Sequence, residues 1–301
     1  MSMNLPLVSV HIISYNQKNF IVEALDSVLA QDYGNIEIVV ADDGSTDGTA
    51  SVILDYAMRY PSKIVPLVGG PNLGITENSN RALSSCRGKY IAFMGGDDVF
   101  LPGKISKQVE WFEEKSSRVL CGHQLEVFYE DGRPSHNLTR TLRRGAGPKD
   151  YIHHGTLFGA VSVMVRASSI PKHGFDPLLP TVSDGMFFNE TLMGGGEFGY
   201  IEGIYARYRK HENNVTNQWQ RCVDDLPKYF DIIRQRYPSY KRDADIGEAN
   251  IFIYGYGLKF MNEGDLKQAA AFFWQGIKIN PLGFKLWVRF AQTMYKGIFF
   301  R

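Results

Sequence analysis

Residues 89–102 read K-Y-I-A-F-M-G-G-D-D-V-F-L-P. An apolar run that reads as a buried strand ends in two glycines and two adjacent aspartates, Asp97 and Asp98. Neighbouring like charges repel, so something positive compensates them. Three similar strand–helix alternations precede this one. L-V-S-V-H-I-I (7–13) is β-rich and apolar, and residues 20–29 have helical spacing. I-E-I-V-V-A (36–41) leads into a helical pattern over 49–58, and I-V-P-L-V (64–68) into one over 78–86. The strand at 89–94 leads into a helix over 103–114. Such alternation predicts βαβ units and an α/β fold, with a mostly parallel sheet covered by helices on both faces.

After about residue 117 the rhythm breaks. V-L-C-G-H-Q-L-E-V-F-Y-E-D-G (119–132) predicts a longer strand ending in a turn, and 133–150 an exposed, mobile connection. S-V-M-V (162–165) predicts a short strand, D-G-M-F-F-N-E-T-L (184–192) a helix, and Y-I-E-G-I-Y-A-R-Y (200–208) a strand. From about 222 onward the pattern is helical only. Residues 1–217 therefore read as one α/β domain and 218–301 as a helical region.

Bulk properties narrow the class. Of 301 residues, 44% are apolar and 22% charged, ordinary for a soluble globular chain. A formal charge of +1 gives no field that points to nucleic acid. Cys86, Cys121 and Cys222 lack C-x-x-C spacing, and an odd count argues against a disulfide framework. The first residues lack the basic start and apolar core of a signal peptide. No run approaches the roughly 18 apolar residues of a membrane span. A cytoplasmic location is the expectation, and the sequons at Asn137, Asn189 and Asn214 carry none.

Ligands of open α/β sheets bind outside the carboxyl ends of the strands. Those ends here are S-Y-N (14–16), D-D-G-S-T-D (42–47), G-G-P-N (69–72) and the G-G-D-D turn. Each piece has a plainer reading. D-G-S-T-D-G serves as a turn and N-cap, and D-D-V-F-L-P as a turn and helix start. Capping needs one acid, whereas two pairs on neighbouring strand ends suit a hard divalent cation, Mg²⁺ or Mn²⁺, that also takes phosphate oxygens. Gly95 and Gly96 let the backbone approach a bulky ligand.

V-S-V-H-I-I-S-Y-N, I-E-I-V-V-A-D-D-G-S-T-D-G-T, N-L-G-I-T-E-N-S-N-R-A-L and G-K-Y-I-A-F-M-G-G-D-D-V-F-L-P, in this order, resemble the family 2 glycosyltransferases of the GT-A fold. S-V-M-V-R, S-D-G-M-F-F and Y-R-K-H-E-N-N-V-T extend the resemblance over about residues 6–217. It implies inverting transfer of a hexose-type sugar from a nucleotide-diphosphate donor to a glycan, lipid-linked or protein acceptor, in surface polysaccharide or lipopolysaccharide synthesis. By position, Ser14, Tyr15 and Asn16 line the nucleoside pocket, and Asp42 and Asp43 lie at the base and ribose. Asp97, with Asp98 beside it, falls on the metal-binding acid of the family's D-x-D signature. The first acid of that signature is replaced by Gly95. Ser79 stands where relatives often carry arginine, and Arg81 is the substitute candidate for nucleotide binding. Asp184 aligns with the catalytic base, its plainer reading being a helix N-cap. His211 matches a histidine near diphosphate or metal. His153 and His154 precede a segment resembling the floor under the donor sugar and have no assigned role.

Residues 250–283 resemble one tetratricopeptide-like helix pair, with Gly257, Phe260, Gly264, Ala269, Phe273 and Pro281 at the repeat's offsets. One such repeat does not bury its own faces. The tail 282–300 mixes aromatic and basic residues with no acid. Two readings stand: an interfacial helix at the inner face of the plasma membrane, or an end helix packed on its domain. Rival readings of the whole chain are a nucleotidyltransferase, which wants a glycine-rich basic loop where S-Y-N-Q-K-N-F stands, and a catalytically weak sugar-nucleotide-binding scaffold.

Overall fold

The computed structural model describes residues 5–138, 147–155, 159–212, 214 and 219–299. Of the connection expected over 133–150, residues 139–146 lie outside the described residues, while a strand at His136–Leu138 and the start of a helix at Pro148–His154 occupy part of the rest. Residues 156–158, after His154, also lie outside them. The chain divides into two compact units. One comprises Met1–Gly147 and Leu157–Cys222, the other Pro148–Thr156 and Val223–Arg301. The second unit thus takes in a segment that the sequence reading kept within 1–217.

In the first unit, β1 (Val8–Ser14), β2 (Ile36–Asp42), β3 (Ile64–Leu67) and β4 (Tyr90–Gly95) are parallel, in the order β3-β2-β1-β4. Their apolar runs are near-continuous because helices cover both faces of such strands. α1 (Ile21–Leu29) buries Ile21, Ala24, Leu25 and Val28, spaced for one helical face. α2 (Thr49–Arg59) follows β2, and α4 (Lys104–Glu113) follows the G-G-D-D turn. α3 (Ile75–Ser85) starts three residues before the pattern expected at 78, because Gly74 turns the chain at φ 88° and its carbonyl accepts from the Asn78 amide.

Beyond β4 the pairing changes sense. β8 (Met164–Arg166) runs antiparallel to β4 and to β6 (Arg118–Tyr129), and β9 (Glu197–Lys210) runs parallel to β6. The two-residue β5 (Val99–Phe100) pairs antiparallel with β9, Val99 opposite Arg207 and Phe100 opposite Ala206. β7 (His136–Leu138) pairs with β6. The β5–β9 pairing positions the site, since it folds the aspartate turn onto the far end of β9. α6 (Ser183–Met193) is buried along most of its length, with Phe187 stacked on Phe175 at 4.2 Å.

The second unit is helical: α5 (Pro148–His154), α7 (Trp219–Arg236), α8 (Lys241–Ile251), α9 (Leu258–Asn262), α10 (Leu266–Ile279) and α11 (Phe284–Phe299). A π-helical stretch, Phe252–Gly257, joins α8 to α9. Ala249, Ile253, Phe260, Ala269, Phe273, Ile277 and Leu286 share one core. A Cβ at Gly257 would run into the Phe273 ring, so the close crossing of these helices requires glycine there. α5 joins this unit because Tyr151 and Ile152 are buried, His153 Nε2 pairs with Asp243 at 2.9 Å, and Asn250 donates to the His153 carbonyl.

Candidate active site

The register of the parallel strands brings their carboxyl ends level: Ser14 lies opposite Asp42, and Ile13 opposite Gly95. Asp42 is fully buried. Its Oδ1 lies 3.2 Å from the Ser14 hydroxyl and 2.5 Å from the Ser45 hydroxyl, and its Oδ2 accepts from the Ser45 amide. Asp43 accepts the Leu73 and Gly74 amides at 2.8 and 3.0 Å, one on each oxygen. Arg81 holds the Asp42 carbonyl at 3.1 Å. These residues, expected at the nucleotide, clamp the loops that follow β2 and β3. Asn16, at φ 50°, adds a second tie by accepting the Thr46 amide and donating its own amide to Ser45 Oγ. Tyr15, 49% exposed, and Asn16 are exposed on this rim.

The second aspartate pair has different partners. Asp97 Oδ2 lies 2.9 Å from His211 Nε2 and accepts Asn214 Nδ2 at 3.2 Å. The His211 amide donates to Asn214 Oδ1 at 2.6 Å, and the His211 ring packs 4.8 Å from that of Phe20. Asp98 turns toward the end of β9, accepting the Arg209 amide at 3.1 Å. Burial pushes the Asp98 carboxyl well above its usual range, and the charge of Asp97 pushes it further. Burial lowers the pKa of Lys210, against the pull of both aspartates.

Arg209 and Asn214 are the residues that sequence reasoning missed. Arg209 is buried, donates from Nε to the Asp97 carbonyl at 2.7 Å, and pairs with both Glu23 and Glu130. Its guanidinium lies between the Phe20 and Phe128 rings. It thereby fixes the aspartate turn to α1 and to the end of β6. Asn214, noted beforehand as a sequon, is buried with its side chain engaged at both ends, so it serves the site as a hydrogen-bonding residue. Both lie in Y-R-K-H-E-N-N-V-T, which was the available signal. The Gly96 turn packs against the β1 loop so closely that a Cβ there would fall 2.5 Å from Gln17 Oε1 and 3.0 Å from Ser14 Cβ. Gln17 Oε1 is itself a buried acceptor without a partner among the described residues.

Asp184 stands in the first turn of α6. Val182 occupies the N-cap position, so the plainer reading of Asp184 as the cap does not hold. Its Oδ1 accepts the Gly185 amide at 2.7 Å, and burial raises its pKa above the ordinary 3.8. The start of α6 is tied to α3, where the Thr76 hydroxyl donates to the Leu179 carbonyl and lies 2.9 Å from the Ser183 hydroxyl.

Among the described residues no three His, Cys, Asp or Glu side chains converge as a metal cage. The donor set nonetheless suits a cation bound together with a substrate. Asp97 and His211 meet at one point, and a hard divalent ion held by one or two protein ligands completes its shell with phosphate oxygens and water.

The family described as glycosyl transferase family 2 matches residues 9–170, more than half of the chain. The chain belongs to that family. This family 2 chain is 35% identical over 234 residues to a putative teichuronic acid biosynthesis glycosyltransferase of Bacillus subtilis, covering 77% of this chain and 90% of that one. An uncharacterized Mycobacterium tuberculosis protein is 28% identical over 94% of this chain and 84% of its own. Among solved structures, residues 1–349 of Staphylococcus aureus TarS in complex with UDP-GlcNAc superpose with a TM-score of 0.65 at 17% identity, covering 91% of this chain and 81% of that one. The chain spans 49% of the longer chain in another TarS crystal structure. A Pyrobaculum calidifontis mannosyltransferase in complex with GDP-Man and Mn²⁺ gives 0.63 at 16% identity, over 98% and 88% of the two chains. These likenesses establish the GT-A fold.

Proposed function

We propose that this family 2 glycosyl transferase moves a sugar, with inversion, from a nucleotide-diphosphate donor to a glycan or lipid-linked acceptor during surface polysaccharide assembly. The observation that carries the reading is the convergence of Asp97, His211 and Asn214 at the strand ends, beside a second, amide-clamped aspartate pair. Ser14, Tyr15, Asn16 and the loops held by Asp42, Asp43 and Arg81 form the nucleoside side. Asp97 and His211, with Asp98 beside them, are the residues that would hold a divalent cation, Mg²⁺ or Mn²⁺. That cation, when bound, supplies Lewis-acid stabilisation to the departing diphosphate. The relative named for teichuronic acid synthesis supports a polysaccharide product, and the UDP-GlcNAc and GDP-Man complexes of the two structural neighbours support a nucleotide-sugar donor.

In the transfer step the acceptor hydroxyl oxygen attacks the anomeric carbon from the face opposite the diphosphate. The carbon–oxygen bond to diphosphate breaks, its electron pair leaves with the nucleoside diphosphate, and the hydroxyl proton passes to Asp184. A carboxyl with a raised pKa is the stronger base once ionised. Donor hydrolysis tests the reading without a known acceptor, using UDP-, GDP- and dTDP-sugars with Mn²⁺. Asp184→Ala is expected to lower turnover on the order of a thousandfold while leaving nucleotide binding by thermal shift intact. In the unaltered enzyme kcat/KM rises with pH through the raised pKa of Asp184. Retained turnover in the variant removes Asp184 from its role. Absence of hydrolysis with every donor in the unaltered enzyme leaves the scaffold reading in its place.

A further inference from the structure

α11 has two apolar faces where packing needs one. At about 100° per residue, Leu286, Phe290 and Thr293 fall in one sector, and Leu286 and Thr293 are buried there. Phe284, Trp287, Ala291, Met294 and Tyr295 fall in a second sector roughly 120° away. That sector faces solvent: Phe284 is 77% exposed, Trp287 44%, Met294 48% and Tyr295 60%. Trp274 of α10, also exposed, extends the face, its ring 6.2 Å from that of Trp287. A third sector of α11 carries Lys285, Arg289 and Lys296 along one flank of the exposed face. No acid follows Asp265 in the sequence, whereas Lys267, Lys278, Lys285, Arg289, Lys296 and Arg301 do.

We propose that the outward face of α11, with Trp274, seats on an anionic lipid surface, the aromatics entering the headgroup layer and the basic flank meeting the lipid charge. Three observations favour this occupant. Tryptophan and tyrosine, apolar with one polar tip, suit the membrane–water boundary. A basic flank without a single acid complements anionic headgroups. The same flank opposed to itself in a second copy of the chain would set like charges against each other. The helix lies on the surface rather than spanning it, since no helix among the described residues is long and apolar enough to cross a membrane. The inference is independent of the transfer reading, and either can fail alone.

Sedimentation of the full chain with vesicles tests it, using phosphatidylcholine alone and phosphatidylcholine with about one third phosphatidylglycerol. The unaltered chain is expected to partition at least about tenfold better onto the anionic vesicles, with a blue shift of tryptophan fluorescence and weakening in high salt. Trp287→Glu with Met294→Glu removes the apolar contact, and Lys285→Glu with Lys296→Glu removes the charge. Each pair is exposed, and each is expected to cut anionic partition by about tenfold or more with the circular dichroism spectrum unchanged. Failure of the unaltered chain to bind anionic vesicles overturns the proposal, as does undiminished binding by both pairs. A chain that is dimeric in solution and becomes monomeric on Trp287→Glu with Met294→Glu, without vesicle binding, assigns the face to a second copy instead.

Discussion

Asp42–Asp43 and Asp97–Asp98 are the same dipeptide at the ends of strands that flank β1 on either side. The loop after β2 supplies hydroxyls and amides to its pair, and the amides of residues 73 and 74 complete the set. The pair after β4 receives an imidazole, a carboxamide and a guanidinium from the far end of β9. Amides and hydroxyls satisfy a carboxylate and leave it as a structural clamp. An imidazole from a distant strand makes a second donor that a cation or phosphate can use. What separates a loop clamp from a candidate reactive group is therefore the chemistry of the partners, and the doubled aspartate alone does not distinguish them.

Three substitutions would break or sharpen that contrast. Asp97→Asn carries the largest expected effect, a loss of Mn²⁺-stimulated donor hydrolysis of about a hundredfold or more, with the melting temperature nearly unchanged. Turnover near that of the unaltered enzyme would make the two pairs equivalent. Asp43→Ala is expected to act on stability instead, costing about 2 kcal/mol in urea unfolding as two amides lose their acceptor, while kcat at saturating donor stays within a few fold. Asp98→Asn carries the smallest effect and the opposite sign. The folded chain holds the Asp98 proton more tightly than the unfolded chain does, so stability from this group is present at low pH. It is lost as pH rises from 3.8 through the raised value. Asparagine keeps an acceptor for the Arg209 amide and carries no charge, so thermal melts should show the variant a few degrees more stable at neutral pH and level with the unaltered chain in acid. A variant less stable at neutral pH would place Asp98 among the clamps.

The parallel half of the sheet was legible because each of its strands is a single apolar run followed at once by its own helix. β1, β2, β3 and β4 all begin and end within about two residues of the sequence expectation. The aspartate pairs were legible for the same reason, as local strings at strand ends. Arg209 was not, since its ion-pair partners Glu23 and Glu130 lie 186 and 79 positions away, and no local pattern marks a residue whose charge partners are distant. The grouping of Pro148–Thr156 with the helical unit escaped notice likewise, because a short amphipathic segment carries no sign of which core it joins. The π-helical stretch at Phe252–Gly257 ends at the glycine that packs on Phe273, and helical periodicity alone does not reveal it.

Gly95 limits how this site can change. A Cβ at that position would lie 2.5 Å from Asp97 Oδ1, so an acid introduced there must first turn the Asp97 carboxylate, and that carboxylate is the one His211 and Asn214 hold. Gly95→Asp is therefore expected to displace the Asp97 carboxylate from its present rotamer. A side chain at 95 is thus coupled to the rotamer of Asp97, so the two positions are expected to change together rather than one at a time.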